Sequence, residues 1–596
     1  VRRSIFLGSK SEHWLPQLAQ FVTPGYIHDW WKTVSWWVCS AWKKDGVVLL
    51  AVSSSLDDRI AFHMGRCAMA CSFRRYGWLI PVLAFSCVVN SEEAKQPAKP
   101  SQGSAGKPQL LVTISKATTY ITEPLRADGY PDYVAALNQR ASRGVTPENN
   151  AEVLLCKAIG PNGIDAKLPG GYCSLLNIPA LPEKGDYFIR SDHWIAQLKT
   201  KANTPSDDAE FENRLYEQQR QVMERPWSKE DFPAWAEWLV ANEKPLALVV
   251  EASRRPKCFA PIVSDNKALW EAPLPGVMAR RKLARALVAR AMFRTKAGKV
   301  TEAWDDVLAC YRLGHLTARG PTMVEMLVGS VIQGLAWNAG QLIGHQPQAT
   351  AAQTAAMQAD LERLSPSLDM ADKLNSCERF MAIDEVINIA REGPTRLQKI
   401  LRLNGESSGM SSILTPAVLA AVDWNVVLQE VNLGYDRAVN AFREPTAGAR
   451  KAAAQEIKKE SDRERATMKE PASWQRNPSR QFGKMIVAQF LPATVACGVC
   501  EDRSIMQFEL TKLSFVLAAY HKEHGSYPEE LADLTPKYIA KVPKDLFNDQ
   551  ELHYRRTSEG FLLYSVGSDG NDDGGKLGVD IIVRFSSDST PNVNSK

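Results

Sequence analysis

Apolar positions fall at helical spacing along most of this chain and change to short β-rich runs only near its C-terminal end. Met506, Leu510, Leu513, Leu517 and Tyr520 step by four, three, four and three, which is one apolar stripe of a helix. Gly525, followed by Ser526, Tyr527 and Pro528, predicts its end. Two short segments close at Pro536 and Pro543. Residues 552–556, 561–566 and 581–585 are then rich in aromatic and β-branched side chains, as strands are. A long helix lying on a small antiparallel sheet would bury both apolar faces.

Upstream, 109–265 reads as a mixed, mostly helical region. It has a short strand at 110–114 and helices at 133–140, 152–159, 208–223 and 232–242, the last with Trp235 and Trp238 on one face. From 266 to 483 helix follows helix. Residues 278–295, a turn at Gly298 and 301–313 predict a helical hairpin. Ala291, Gly298 and Ala303 resemble one tetratricopeptide unit, but no period follows, so a repeat-like body stays open. Further helices are expected at 323–343, 351–364, 370–391, 394–404 and 416–442. Residues 451–470 are dense in both charge signs and read as a solvated helix or linker.

The N-terminal part carries an address. Residues 69–90 place Arg74 and Arg75 before an apolar run, 77–89, and polar Ser91, Glu92 and Glu93 after it. That is the layout of a secretory signal or, through 74–89, a membrane anchor; the run is short for a span. A buried apolar helix is the alternative. Residues 91–108 are a Pro, Gly, Ser and Lys linker. Residues 1–68 crowd Trp14, Trp30, Trp31, Trp36, Trp37 and Trp42 without a period. They read as sequence upstream of the true start, or else as a small Trp-rich or membrane-surface segment. The expectation is an exported protein, periplasmic or secreted, touching a membrane only through its N-terminal segment.

At 596 residues two to four domains are expected. A net charge of +5 on so long a chain gives no reason to invoke nucleic acid. Eleven cysteines are too few for a disulfide scaffold, and no zinc-type pair of pairs occurs.

One stretch is chemically legible. Between the last two expected strands Asp569, Asn571 and Asp573 alternate, Gly574 follows, and Asp580 is the twelfth position counted from Asp569. This matches the D-x-[DN]-x-[DN]-G calcium-loop pattern with Asp in place of the final Glu. Calcium takes six to eight hard oxygens, and glycines let the backbone wrap closely enough to supply them. The other reading is an acidic hairpin turn that binds nothing. The number of oxygens favours calcium; the strand flanks argue against an EF-hand.

The same residues carry a resemblance. Tyr520 to Pro528 (YHKEHGSYP), Pro543-Lys544-Asp545, Tyr564 to Gly570 (YSVGSDG) and Asp580-Ile581 resemble the major pseudopilin of type II secretion systems, with Pro492 placed like a pilin kink proline. The resemblance implies a calcium site with side-chain ligands at Asp569 and Asp580 and backbone carbonyls near Val566 and Ser568. It covers about the last hundred residues. The family has Asp-Pro where this chain has Asp545-Leu546, and the chain before Met485 is polar, so 484–596 looks like a pilin-type calcium-binding head reused in a larger protein. Stretches within 119–140 and 176–188 resemble large, uncharacterised exported proteins of planctomycete bacteria.

Gly405-Glu406-Ser407-Ser408-Gly409 matches the nucleophile elbow G-x-S-x-G, but the segment before it reads as helix and not as a buried strand. Cys497 and Cys500 form a CxxC that reads as small core residues within one apolar helix. His521 and His524 are three apart, not the four of H-E-x-x-H, and read as helix-end packing. The expected class is therefore α+β: a mainly helical body that offers faces to protein partners, and a pilin-like domain stabilised by calcium. The expected function is non-enzymatic. The alternative is an exported serine hydrolase using Ser407.

Overall fold

A computed structural model describes residues 110–586 other than 164–166, 203–208, 265–267, 365–368, 404–415 and 469. The signal-like segment, the linker and Ser407 lie outside the described residues. The chain is mainly helical, with a three-stranded antiparallel sheet near its C-terminal end.

Among the described residues it opens with α1 (Tyr133–Ala141), α2 (Ala151–Ile159), a single turn at Tyr172–Leu175, α3 (Ser191–Lys201), α4 (Ala209–Glu224), α5 (Pro233–Ala241) and α6 (Glu243–Ser253). Asp132 and Asn150 start α1 and α2 by accepting backbone N–H groups of the first turn. Trp235 and Trp238 are both buried and meet edge to face at 5.4 Å. No strand forms at 110–114. Its backbone donors go to side chains instead: Leu111 N–H to the Tyr130 hydroxyl and Thr113 N–H to Asn425 Oδ1. With no neighbouring strand, the β-prone composition there has nothing to pair with.

The expected hairpin is α7 (Pro275–Lys296) and α8 (Val300–Ala318), turning through Gly298 at φ +73°. Then come α9 (Met323–Gly344), α10 (Ala351–Glu362), α11 (Arg379–Glu392) and α12 (Pro394–Leu403). A π turn at Leu374–Glu378 precedes α11, inside the helix expected at 370–391. The helix expected over 416–442 is broken: a short turn, Pro416–Ala420, is followed by α13 (Trp424–Phe442), whose first turn is capped by Asp423. The charged stretch is a helix, α14 (Ala447–Thr467). The apolar run leading to Gly525 is two helices, α15 (Pro478–Ala496) and α16 (Val499–His524), and not one. At the junction Gly498 lies under the Phe442 ring, where a Cβ would come within 1.9 Å of a ring carbon.

Three cores result. The first runs from α2 to α10 and includes Phe508 and Phe515 of α16. The second joins α1 to α11, α13 and α15. The third lies between α16 and the sheet: Met506, Leu510, Leu513 and Leu517 meet Phe561, Leu563, Ile581 and Val583. Helices α8 and α9 cross with their backbones in contact, because Gly314 and Gly329 face each other. A Cβ at Gly329 would lie 2.5 Å from the Ala318 nitrogen and 2.6 Å from the Gly314 carbonyl oxygen.

His345 caps the end of α9 and is buried against the third core. Its Nδ1 is 2.9 Å from the Tyr527 hydroxyl and its Nε2 is 3.0 Å from Ser514 Oγ. The ring stacks on Phe585 with centroids 4.4 Å apart. Burial, with His521 and Lys522 nearby, pulls its pKa down to about 3.

Two outcomes follow. Gly329→Ala should lower stability by about 1–3 kcal/mol through overpacking. Gly448→Ala, at an exposed position of α14 with open space around it, should be neutral or stabilising by up to about 1 kcal/mol. Thermal midpoints check both signs. For His345, the unfolded ring takes a proton below its ordinary value of about 6.5 while the folded ring refuses one. Its contribution is therefore complete above that value and falls as pH drops toward 3. Wild type should lose roughly 2–3 kcal/mol between pH 7 and 4.5 from this group alone. His345→Asn should lack that component, read as a smaller midpoint difference between the two pH values.

A candidate metal-binding loop in the C-terminal unit

Strands β1 (His553–Arg556), β2 (Gly560–Ser565) and β3 (Ile581–Ser586) pair antiparallel in the order β1-β2-β3. The expected strand positions agree with these to within a residue or two. Register sets the loop. Ser565 pairs with Ile581, so Val566 and Asp580 are the first and last residues outside the ladder and are held side by side. Both ends of the predicted donor set are thus placed by the sheet.

Between them the backbone turns repeatedly into the left-handed region, at Gly567, Gly570, Gly574, Gly575 and Gly578. At Gly567 the need is strictest: φ is +67° and a Cβ would meet the Val579 carbonyl oxygen at 2.6 Å. The two limbs of the loop touch there.

Asp580 is buried, 1% exposed. Its Oδ2 accepts the N–H groups of Gly575 and Lys576 at 2.9 and 2.8 Å. Its Oδ1 is buried and has no hydrogen-bond partner. Burial raises its pKa, the Lys576 and Gly575 donors pull it back, and Asp573 acts both ways, its charge raising the value and its backbone N–H lowering it. The other acidic residues are arranged differently. Asp569 Oδ1 accepts the Asn571 N–H at 3.2 Å, and the Asp569 carbonyl accepts Lys451 Nζ at 3.1 Å. Asp572 Oδ1 accepts the Tyr564 hydroxyl at 2.9 Å and the Gly574 N–H at 2.8 Å, which holds its carboxyl below the usual range. Asn571 and Asp573 are exposed, while Val566 is buried and Ser568 half-buried.

The sheet and loop therefore bring Asp573 into electrostatic reach of Asp580, and both Asp569 and Asp580 into reach of Arg503 on α16. Among the described residues no three His, Cys, Asp or Glu side chains converge closely enough to hold a metal. What fits a hard cation is the unsatisfied Asp580 Oδ1 in a loop rich in carboxylate and carbonyl oxygens.

Two residues central to the loop escaped the sequence reading. Asp545, 1% exposed, accepts Ser565 Oγ and the Val566 N–H, both at 2.9 Å, and so clamps the first turn of the loop. Its own segment is closed by a hydrogen bond from Asp545 N–H to the Gln550 carbonyl at 2.8 Å. Arg503 Nη1 donates to the Val579 carbonyl at 3.1 Å. The conspicuous Pro543-Lys544-Asp545 string was the only cue to the first, and nothing in the spacing pointed to the second.

The other candidate chemistry is placed as follows. The sheet among the described residues is antiparallel, whereas a nucleophile elbow sits in a parallel one. Cys497 and Cys500 are buried thiols at the α15–α16 junction, not inside one helix, and burial pushes the Cys500 thiol up to about 12, against the pull of Arg503. A thiol so raised is a poor nucleophile. His521 stacks on Tyr527 and His524 on Tyr520, with centroids 4.4 and 4.2 Å apart. A void of about 10 Å³ between Trp304, Tyr311, Trp337 and Phe515 is too small for a substrate.

No protein-family model, curated protein or solved structure matches this chain.

Asp545→Ala should free the first turn of the loop and leave the Val566 N–H unsatisfied, lowering stability by about 2–3 kcal/mol. Asp545→Asn, which keeps one acceptor oxygen, should lose less. Urea midpoints and hydrogen exchange at the Val566 amide read the two effects.

Proposed function

We propose that this chain is an exported, non-enzymatic protein. Its C-terminal unit is a pseudopilin-like head stabilised by calcium, and its helical body makes contacts with protein partners. The observation that carries the metal half of this reading is the buried Asp580 Oδ1, a carboxylate oxygen with no donor, at the point where β3 leaves a glycine-rich acidic loop. The head half is supported by the long α16 lying on an antiparallel sheet. The export half rests on the signal-like segment and linker of the sequence.

In this reading Asp580 and Asp569 supply side-chain oxygens, Val566 and Ser568 supply carbonyls, and Asn571 and Asp573 complete the oxygen-rich loop. Calcium, when bound, would supply a hard positive centre for these oxygens. The rest is done by the chain. Asp545 fixes the start of the loop, the sheet register fixes its end, and the glycines permit the turns.

The test is calorimetric titration of Ca²⁺ into the full chain, with Mg²⁺ as the comparison and Asp580→Asn as the control. Binding of calcium, a rise in thermal midpoint with calcium, and loss of both in the variant are expected. At a hundredfold excess over Kd the stabilisation is about 2.7 kcal/mol. A folded chain that neither takes up calcium nor gains stability from it would overturn the metal half of this reading.

A further inference from the structure

The interior of the loop already holds a positive charge. Arg503 projects from α16 into it and is 3% exposed. Its Nη1 donates to the Val579 carbonyl on the outgoing limb at 3.1 Å. The same nitrogen lies 3.2 Å from where a Cβ would stand at Gly567, on the incoming limb. The guanidinium thus sits where the two limbs meet. Its Nε is buried without a hydrogen-bond partner.

A charge in such a place needs counter-charge. Burial lowers the Arg503 pKa to about 10, against which Cys500, Asp569 and Asp580 favour the charged form. It therefore stays protonated at neutral pH, with the two aspartates in electrostatic reach. A second cation approaches from the body. Lys451, exposed on the first turns of α14, donates to the Asp569 carbonyl. Its neighbour Arg450 is ion-paired with Asp502 on α16. Two backbone oxygens of the loop, those of Val579 and Asp569, are thus occupied by cationic donors of the protein itself.

We propose that Arg503, assisted by Lys451, is an internal cation that closes this loop without metal and competes with a divalent cation for it. The proposal rests on the calcium reading of the loop and adds its regulation. A divalent ion satisfying Asp580 places two further positive charges within electrostatic reach of the guanidinium. Repulsion then weakens the hold of Arg503 on Val579 and of Lys451 on the Asp569 carbonyl. Metal uptake is coupled in this way to release of the loop from α16 and from the body helix α14. By reciprocity, a body conformation that withdraws Lys451 favours the metal.

The experiment uses the full chain and the variants Arg503→Gln, Arg503→Lys and Lys451→Gln. Thermal midpoints are read in EDTA, and Ca²⁺ binding is read by calorimetry. Arg503→Gln should melt lower than wild type in EDTA and bind Ca²⁺ at least about tenfold more tightly. Arg503→Lys should stay near wild type in both readouts. Lys451→Gln should keep the wild-type fold and bind Ca²⁺ a few-fold more tightly, so that the competition is readable even if Arg503→Gln does not fold. An unchanged midpoint of Arg503→Gln in EDTA would overturn the internal cation, whatever calcium does. Equal Ca²⁺ affinity in wild type, Arg503→Gln and Lys451→Gln would overturn the competition while leaving the calcium reading standing. No Ca²⁺ uptake by wild type or any variant would overturn both. Uptake only after Arg503 is replaced would overturn the calcium reading of the wild-type loop, and with it the competition, while leaving the internal cation standing.

Discussion

One helix is buried on two faces, and the C-terminal half of the molecule is built around that fact. Met506, Leu510, Leu513 and Leu517 point α16 at the sheet, while Phe508 and Phe515 point it at the body. Phe515 lies against Gly344, where a Cβ would come within 2.7 Å of its ring, and stands 5.4 Å from Trp304. Each phenylalanine set into the body removes on the order of 150–250 Å² of apolar surface from water. The sheet alone, three short strands, covers only one side of such a helix. The C-terminal unit is therefore not a module hung on a tether. Its central helix is a shared wall, and His345 fastens the wall at the corner where α9, α16 and the sheet meet.

The charged helix α14 answers a defect in its neighbour. Pro492 lies inside α15 and has no N–H, so the Ala488 carbonyl one turn earlier loses its helical donor. Arg465 of α14 donates to that carbonyl, Nη2 to oxygen 2.6 Å. A buried acceptor is satisfied from outside the helix, as the chain must do wherever a proline interrupts the ladder. Lys484 of α15 pairs with Glu464 of α14 at 2.7 Å, which holds the two helices in that register. The mixed charges of 447–467 thus have assigned work at both ends: Arg465 at the proline, Arg450 and Lys451 at the head.

How much of this could be seen in the sequence depends on whether the deciding contact is local. The three strands and the end of α16 were legible, because aromatic and β-branched composition, apolar spacing and Gly525 are local signals. The break at Cys497 and Gly498 was not, since the apolar spacing continues through it and the cause, the Phe442 ring, lies on another helix. The strand expected at 110–114 failed for the same reason in reverse: its composition is right but its partners are Tyr130 and Asn425 side chains. In the candidate site, the alternating Asp569, Asn571 and Asp573 were visible by pattern. Yet the best-placed carboxylates are Asp580, fixed by sheet register, and Asp545, fixed by contact with Ser565. Arg503 is invisible to any motif, because an arginine on a helix carries no mark of what it faces.

That difference separates a built loop from an acidic surface turn. A surface turn leaves its carboxylates in water, where they cost nothing and hold nothing. Here Asp545 and Asp580 are withdrawn from water almost completely. A buried carboxylate is tolerated only when donors or cations replace its hydration. Asp545 meets that demand with Ser565 and Val566; Asp580 meets half of it with the Gly575 and Lys576 amides. The five left-handed glycines exist to aim those amides and to let Val579 approach Gly567. The other Asp580 oxygen has no hydrogen-bond partner, and Arg503 on α16 lies within electrostatic reach of the carboxylate. Because Arg503 is anchored on the shared helix, its hydrogen bond to the Val579 carbonyl ties the loop to the wall that joins the sheet to the body.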